Sequence, residues 1–404
     1  MRILYLADIR FPLERANGIQ TMETCYALAK RGHDVSLIVR PDTHSPARDP
    51  LQYYGLPDAK SLHIERAPVS GPALARRIGY LAFALGRAIG AARSDVIMTR
   101  DLGVASLLAG LPRGMRAPLV YESHGYSPAV AAALPALVET ARQPSAAKLR
   151  RLAEREARVW KGAEGYVTIT AALGDEMRSR HGTRDRSAVI HDGVRVAPGA
   201  RFNAEHRSLV PRGDATYRPV VAYAGHLYPW KGADVLLEAL ARVPNAQGLI
   251  VGGHAEEPDL ARVKAQADRL GIAGRVEFAG IVEPSRVAEI LQRADILALP
   301  NPASAISTRF TSPLKLFEYM SAGRAIVASD LPSIREVLHH EVDALLVTPG
   351  DPQAFAAAIE RLVAQPGMAA RLARAAFDAA LDYSWDHRAE RLERLFAEVT
   401  AARG

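Results

Sequence analysis

Val220-Val221-Ala222-Tyr223-Ala224-Gly225-His226-Leu227-Tyr228-Pro229-Trp230-Lys231-Gly232-Ala233-Asp234-Val235-Leu236-Leu237 is the segment that decides the fold. Its first five residues form an apolar run of strand length. From Ala233 to Val243 the apolar residues recur at helical spacing. The glycines and the proline between them mark a tight connection. This unit of strand, loop and helix then repeats downstream. Residues 248–251 read as a strand and 259–270 as a helix, and strands follow at 276–279, 296–299, 325–328 and 344–347. Such alternation is the pattern of a doubly wound parallel sheet.

The same pattern precedes the segment. Residues 2–7 read as a strand, 19–31 as a helix closed by Gly32-His33, and 35–39 as the next strand. Further strands fall at 96–99, 119–122 and 165–169. Residues 197–219 hold three prolines and two glycines with little periodicity, so they read as a linker. The expected architecture is α/β, with two Rossmann-like domains over residues 1–198 and 199–385. Their parallel sheets would face a central cleft, the place where open α/β sheets bind ligands. Helical sequence at 370–380 and 387–401, broken at Tyr383-Ser384-Trp385, ends the chain.

The bulk properties agree. A chain of 404 residues is long enough for two or three domains. A net charge of +7 suits an anionic partner without selecting one. Cys25 stands alone, so neither a disulfide nor a cysteine zinc cluster can form within the chain. The apolar run at the start is too short for a signal peptide, and no stretch reaches the ~18 apolar residues that span a bilayer. A cytoplasmic location is expected. Two basic, apolar stretches, residues 76–93 and 142–161, fit either a peripheral contact with an anionic membrane or ordinary solvated helix faces. Glu154 and Glu156 favour the second.

Several residues carry potential chemistry. Lys231 and Gly232 stand at a helix start, where a cation is unfavourable unless an anion is bound, and a diphosphate would meet both ammonium and free N–H groups. His226 is either a second donor or a turn residue. In Ser312-Pro313-Leu314-Lys315-Leu316-Phe317-Glu318-Tyr319-Met320, Ser312 is a good N-cap and Pro313 suits the first helical position. The N–H groups of Leu314 and Lys315 would then form a second anion cradle. The helix is apolar nearly all round, so Glu318 needs a partner, either a ribose diol or Lys315. Gly18 is either a close approach to a ligand or a turn glycine. His124, at the end of a strand, either meets a reacting sugar or phosphate or is structural. Asp-x-Asp, the nucleophile elbow and the Walker loop are all missing from the sequence, so no metal or other cofactor is expected.

Residues 225–232 followed by 312–323 resemble family 4 of the retaining GT-B glycosyltransferases. Val251-Gly252-Gly253, residues 275–280, Ala294-Asp295-Ile296 and residues 328–332 and 347–351 follow in the family's order. In the first half, Gly18 and residues 28–35 are also similar. The resemblance implies a GT-B fold with the donor bound mostly by the second domain, and a last helix, 386–404, packing back on the first. It implies that Lys231 holds the donor diphosphate and Glu318 the ribose hydroxyls. Backbone of Thr311, Ser312, Pro313 and Leu314 would meet the diphosphate and sugar, Val282 the base, and His124 the sugar. The implied reaction is retaining, metal-independent transfer of a hexose-type sugar from a nucleotide-diphosphate donor to a glycan, lipid-linked or small-molecule acceptor. In that family the acceptor attacks from the face the nucleotide leaves. UDP is favoured only by its frequency in the family, and no nucleic-acid partner is expected. Two departures stand out. Phe310 replaces the first of two spaced glutamates, with Arg309 the candidate to replace its charge, and His226 stands near where an arginine is common. They leave open a non-catalytic partner subunit, and the architecture itself leaves open a nucleotide-sugar epimerase or a phosphorylase.

Overall fold

The computed structural model describes residues 1–90, 94–137, 142–196, 199–202, 217–254, 258–304, 307–308 and 313–402. It divides into two compact units. One comprises Met1–Ala132, Gln143–Gly193 and Trp385–Gly404, and the other Ala133–Arg142 and Val194–Ser384.

The first unit begins β1 (Arg2–Arg10), α1 (Ala16–Lys30), β2 (Asp34–Arg40), α2 (Pro50–Tyr54), β3 (Leu62–Arg66), α3 (Ala73–Gly90) and β4 (Val96–Thr99). It continues α4 (Leu102–Ala109), β5 (Leu119–Ser123), α5 (Ser127–Leu137), α6 (Ala146–Gly162), β6 (Gly165–Thr168), α7 (Ala171–His181) and β7 (Ser187–Val189). The sheet order is β3-β2-β1-β4-β5-β6-β7, with every pairing parallel. β4, β5 and β6 are buried along their whole length, so they read as unbroken apolar runs. Short polar caps start the helices that follow β4 and β6. Asp101 accepts from the Val104 N–H at 2.9 Å, and Thr170 Oγ1 from the Leu173 N–H at 3.2 Å.

The second unit runs β8 (Val220–Ala224), α8 (Ala233–Arg242), β9 (Gln247–Val251), α9 (Pro258–Arg269), β10 (Val276–Gly280), α10 (Val287–Leu291) and β11 (Ile296–Leu299). Then come α11 (Leu314–Ala322), β12 (Ala325–Ser329), α12 (Pro332–Arg335), β13 (Leu345–Val347), α13 (Pro352–Ala364) and α14 (Pro366–Ala380). Its parallel sheet has the order β10-β9-β8-β11-β12-β13. Successive residues of each strand serve opposite cores, as the twofold period of a strand requires. Val221, Tyr223, Ile250 and Ala298 pack with Leu236, Phe355 and Ile359. Ala222, Ala224, Leu249 and Leu297 pack with Leu316, Phe317 and Met320. Helices α8 and α13 therefore cover one face and α11 the other.

The last helix, α15 (Trp385–Ala401), belongs to the first unit and lies on α1. Arg31 Nε donates to Glu393 Oε1 at 2.7 Å, and His33 Nε2 meets the same oxygen at 2.7 Å.

Several expectations need adjustment. Two strands, β3 and β7, were not foreseen; they are the outer strands of the first sheet. Residues 197–198 and 203–216, most of the expected linker, lie outside the described residues. Of the basic stretches, α6 buries Val159 and Trp160 and packs on α4, whereas α3 leaves Leu74 and Ile78 exposed. No described helix is long and apolar enough to cross a membrane.

Candidate functional site

In the second unit the carboxyl end of β8 turns sharply. Gly225 takes a positive φ of 140° and donates its N–H to the Val251 carbonyl at 2.8 Å. The loop after β9 is pressed against it, so a Cβ on Gly252 would lie 2.1 Å from the Gly225 carbonyl oxygen. Pro229–Lys231 forms one turn of 3-10 helix, and Gly232 follows in the left-handed region at φ 81°, ψ 17°. A Cβ on Gly232 would lie 1.9 Å from the Pro300 carbonyl oxygen beyond β11. Asn301 Nδ2 closes the turn on the Trp230 carbonyl at 3.3 Å. Lys231 is thereby delivered to the carboxyl edge of the sheet on a connection with little freedom. Gly232→Ala is expected to destabilise the chain by about 1–3 kcal/mol from φ alone, with the carbonyl clash added. Urea denaturation midpoints check this.

Helix α11 brings a second cation to the same loop. Tyr319 Oη accepts from the Ala224 N–H at 2.7 Å and so ties α11 to the end of β8. One turn earlier, Lys315 is only 8% exposed. Its Nζ lies 3.9 Å from the centre of the Tyr223 ring and has no hydrogen-bond partner among the described residues. Burial pushes the Lys315 ammonium well below its ordinary range, Lys231 pushes it lower, and Glu318 opposes both. Burial also lowers Lys231. No acidic side chain is paired with either lysine among the described residues. The hydrogen-bonded Lys315–Glu318 pair, one of the two roles open to Glu318 from its spacing, is therefore not formed. Glu318 is half-buried on α11.

The other expected donor residues of this unit fall into four groups. Pro313 and Leu314 open α11, with Pro313 at the capping position rather than the first helical one. The Leu316 N–H donates to the Pro313 carbonyl at 2.8 Å, so the N–H groups of Leu314 and Lys315 stand outside the helix ladder. Val282 follows β10, whose Gly280 carbonyl accepts from the Gly252 N–H at 2.7 Å. His226 joins a run of stacked rings. It lies 5.1 Å from Tyr228, which lies 4.6 Å from Trp230, and 6.2 Å from His254. Its carbonyl accepts from Tyr223 Oη at 2.6 Å. Arg309, Thr311, Ser312 and the substituted Phe310 lie outside the described residues.

His124 and Gly18 belong to the first unit. His124 Nε2 meets Glu122 Oε1 at 2.5 Å. A carboxylate accepts, so Nε2 carries the proton and Nδ1 is left as an acceptor. Burial lowers the imidazole's affinity for a proton, Arg100 lowers it further, and Glu122 opposes them, so the ring is biased towards its neutral form. Glu122 is fully buried and also bonds Gln20 and Arg388 of α15. Arg388 donates in addition to the His191 carbonyl at 2.7 Å and to Thr24 Oγ1 at 3.2 Å. Nothing local in the sequence pointed to Gln20 or Arg388. Gly18 is explained by packing. A Cβ there would lie 2.3 Å from the Leu13 carbonyl oxygen, and its N–H is spent on the Arg15 carbonyl at 2.8 Å. A backbone approach to a ligand at Gly18 has no support in this geometry.

Comparison with known proteins bears on the family and the fold. The pattern described as "Glycosyltransferase Family 4" matches residues 18–197, and "Glycosyl transferases group 1" matches residues 218–365. A D-inositol 3-phosphate glycosyltransferase of Xylanimonas cellulosilytica is 28% identical over 403 residues, covering 96% of this chain and 92% of the relative. Sucrose-phosphate synthase from Thermosynechococcus elongatus superposes with a TM-score of 0.77 at 18% identity over 99% of both chains. Anabaena HepE, solved with UDP-glucose, gives 0.69 at 19% identity over 98% of this chain and 100% of that one. The chain belongs to the glycosyltransferases of group 1 and family 4, and its two parallel-sheet units have the GT-B fold.

Proposed function

We propose that the chain transfers a hexose-type sugar from a nucleotide-diphosphate donor, with UDP-sugars first among the candidates, retaining the anomeric configuration and needing no metal. The acceptor is a glycan, a lipid-linked molecule or a small molecule. One observation carries this assignment. The loop from Gly225 to Gly232 holds Lys231 partly buried, with no acidic partner among the described residues, at the carboxyl edge of the sheet beside the first turn of α11. A diphosphate there would satisfy the cation and the unpaired N–H groups together. HepE, a structural neighbour, was solved with UDP and with UDP-glucose.

As the bond between sugar and diphosphate breaks, negative charge grows on the leaving oxygens. Lys231 and the amino end of α11 stabilise that charge, where a single well-placed donor contributes about 2.7–4 kcal/mol. Glu318 accepts from the ribose hydroxyls, and Val282 lies against the base. Neutral His124 orients the sugar through Nδ1. The acceptor attacks from the face the nucleotide leaves, and a donor phosphate oxygen takes its proton. Lys231 and the amino end of α11 supply the positive charge that a divalent ion would otherwise bring, so turnover is expected to be unchanged in EDTA. Product NMR from UDP-, GDP- and TDP-sugars with candidate acceptors checks the assignment. A product of the donor's own anomeric configuration is expected. An inverted product, or an epimer formed without acceptor, contradicts it.

A further inference from the structure

Lys315 is buried at an unfavourable place for an ammonium. Three effects oppose its charge in the empty protein: burial without a hydrogen-bond partner, the positive end of α11, and Lys231. The Tyr223 ring at 3.9 Å offsets part of this as a cation–π contact. A methionine would fill the same space against Tyr223 and Gly225 with none of these costs. A Cβ placed on Gly225 would lie 3.6 Å from Nζ, so the side chain ends against the loop that carries Lys231. An anion entering that loop would offset all three, by giving Nζ a hydrogen-bond partner and a counter-charge to the α11 amino end and Lys231.

We propose that Lys315 is a second diphosphate ligand of the donor site, its Nζ moving from the face of Tyr223 to the oxygens that Lys231 also contacts. The assignment rests on the donor-binding function proposed above. The groups facing Lys315 are Tyr223 from β8, Lys231 from the turn before α8, and Glu318 and Tyr319 from its own helix. Both phenols are pushed up by burial and stay neutral. Burial and Lys231 favour the neutral amine when the site is empty, and a bound diphosphate favours the ammonium. Filling the site therefore takes up a proton from the solvent: the amine gains one hydrogen and one positive charge, and no other bond changes.

The test is calorimetric titration of the full chain with UDP, GDP and TDP and with the parent nucleosides, in two buffers of different ionisation enthalpy. The wild type is compared with Lys315→Met. For the diphosphate that the wild type binds, the substitution is expected to lower affinity about 10- to 100-fold and to reduce proton uptake. Nucleoside affinity should stay the same, and the melting temperature should hold or rise, since an unpartnered buried amine is gone. A merely structural lysine would instead lower the melting temperature and weaken nucleoside and diphosphate alike. Unchanged diphosphate affinity and proton uptake in Lys315→Met overturns the assignment while leaving the donor site standing. If the wild type binds no nucleoside diphosphate, both fall together. Should Lys315→Met not fold, Lys315→Gln is titrated in its place against the same outcomes.

Discussion

Lys231→Ala is expected to lower turnover about 10²- to 10³-fold and donor affinity about tenfold or more. The larger effect on turnover follows from where charge develops. In the ground state the diphosphate charge is shared with solvent and with the donor's own sugar. In the transition state it concentrates on the oxygens that Lys231 faces, so the lost contact is one that strengthens as the bond breaks. The fold should not suffer. Lys231 is a cation whose charge burial disfavours, with no acidic partner among the described residues, so removing it leaves no counter-charge stranded. Steady-state kinetics and a thermal melt of the same preparation check both halves. Wild-type kcat/KM in the variant would place the diphosphate elsewhere.

The second large effect concerns stability and lies in the first unit. Arg388→Ala is expected to destabilise the protein by about 3–5 kcal/mol, because it strands the fully buried Glu122 carboxylate. The loss should depend on pH. In the wild type, burial alone would raise the Glu122 carboxyl, but Arg388, His124 and Arg100 outweigh it and hold the group well below the ordinary carboxyl value of 4.5. A depressed folded value contributes stability above the unfolded value, lost only as pH falls through the folded one. Without Arg388, burial is less opposed and the folded value rises. The stability of the variant then falls as pH climbs through that raised value. Its deficit relative to wild type is therefore largest at neutral pH and shrinks towards pH 4–5 in urea denaturation curves. Arg388→Met combined with Glu122→Leu should recover much of the loss, since an apolar pair of similar volume removes the stranded charge. A deficit independent of pH would show that Arg388 acts through packing alone.

The same pair explains how α15 holds His124 in place. Glu122 and Arg388 are 266 residues apart in sequence and meet only in the folded unit. Spacing rules report neighbours within a helix or along a strand, so they found His124 without the carboxylate chain that fixes its tautomer. Lys315 was hidden for a related reason. Within α11 its natural partner is Glu318, one turn away, and the helix alone offers nothing to prefer another. Its neighbour is in fact the ring of Tyr223, brought close by the Tyr319 bond to Ala224.

The strands divide along similar lines. All six strands of the second sheet were legible, because most are buried on both faces and carry continuous apolar runs. The two that escaped, β3 and β7, are the edges of the first sheet. Leu62–Arg66 exposes His63 and Arg66, and Ser187–Val189 is only three residues long and half-buried. An edge strand makes one ladder instead of two and needs less apolar surface, so its sequence signal is weak. At the site, the glycines were read as turn residues. Only the fold shows that Gly232 is required by the approach of Pro300 and that Gly18 is required by Leu13.

Donor binding by the second unit is tested most directly by titrating UDP, GDP and TDP into four forms of the full chain: wild type, Lys231→Ala, Glu318→Ala and His124→Ala. The wild type should bind at least one of the three diphosphates. Lys231→Ala and Glu318→Ala should each weaken that binding about tenfold or more, by loss of the diphosphate contact and the ribose contact respectively. His124→Ala should bind the diphosphate as the wild type does, because its partner is the sugar. Wild-type affinity in both Lys231→Ala and Glu318→Ala, or a loss confined to His124→Ala, would contradict a donor site built on the loop after β8 and the first turns of α11.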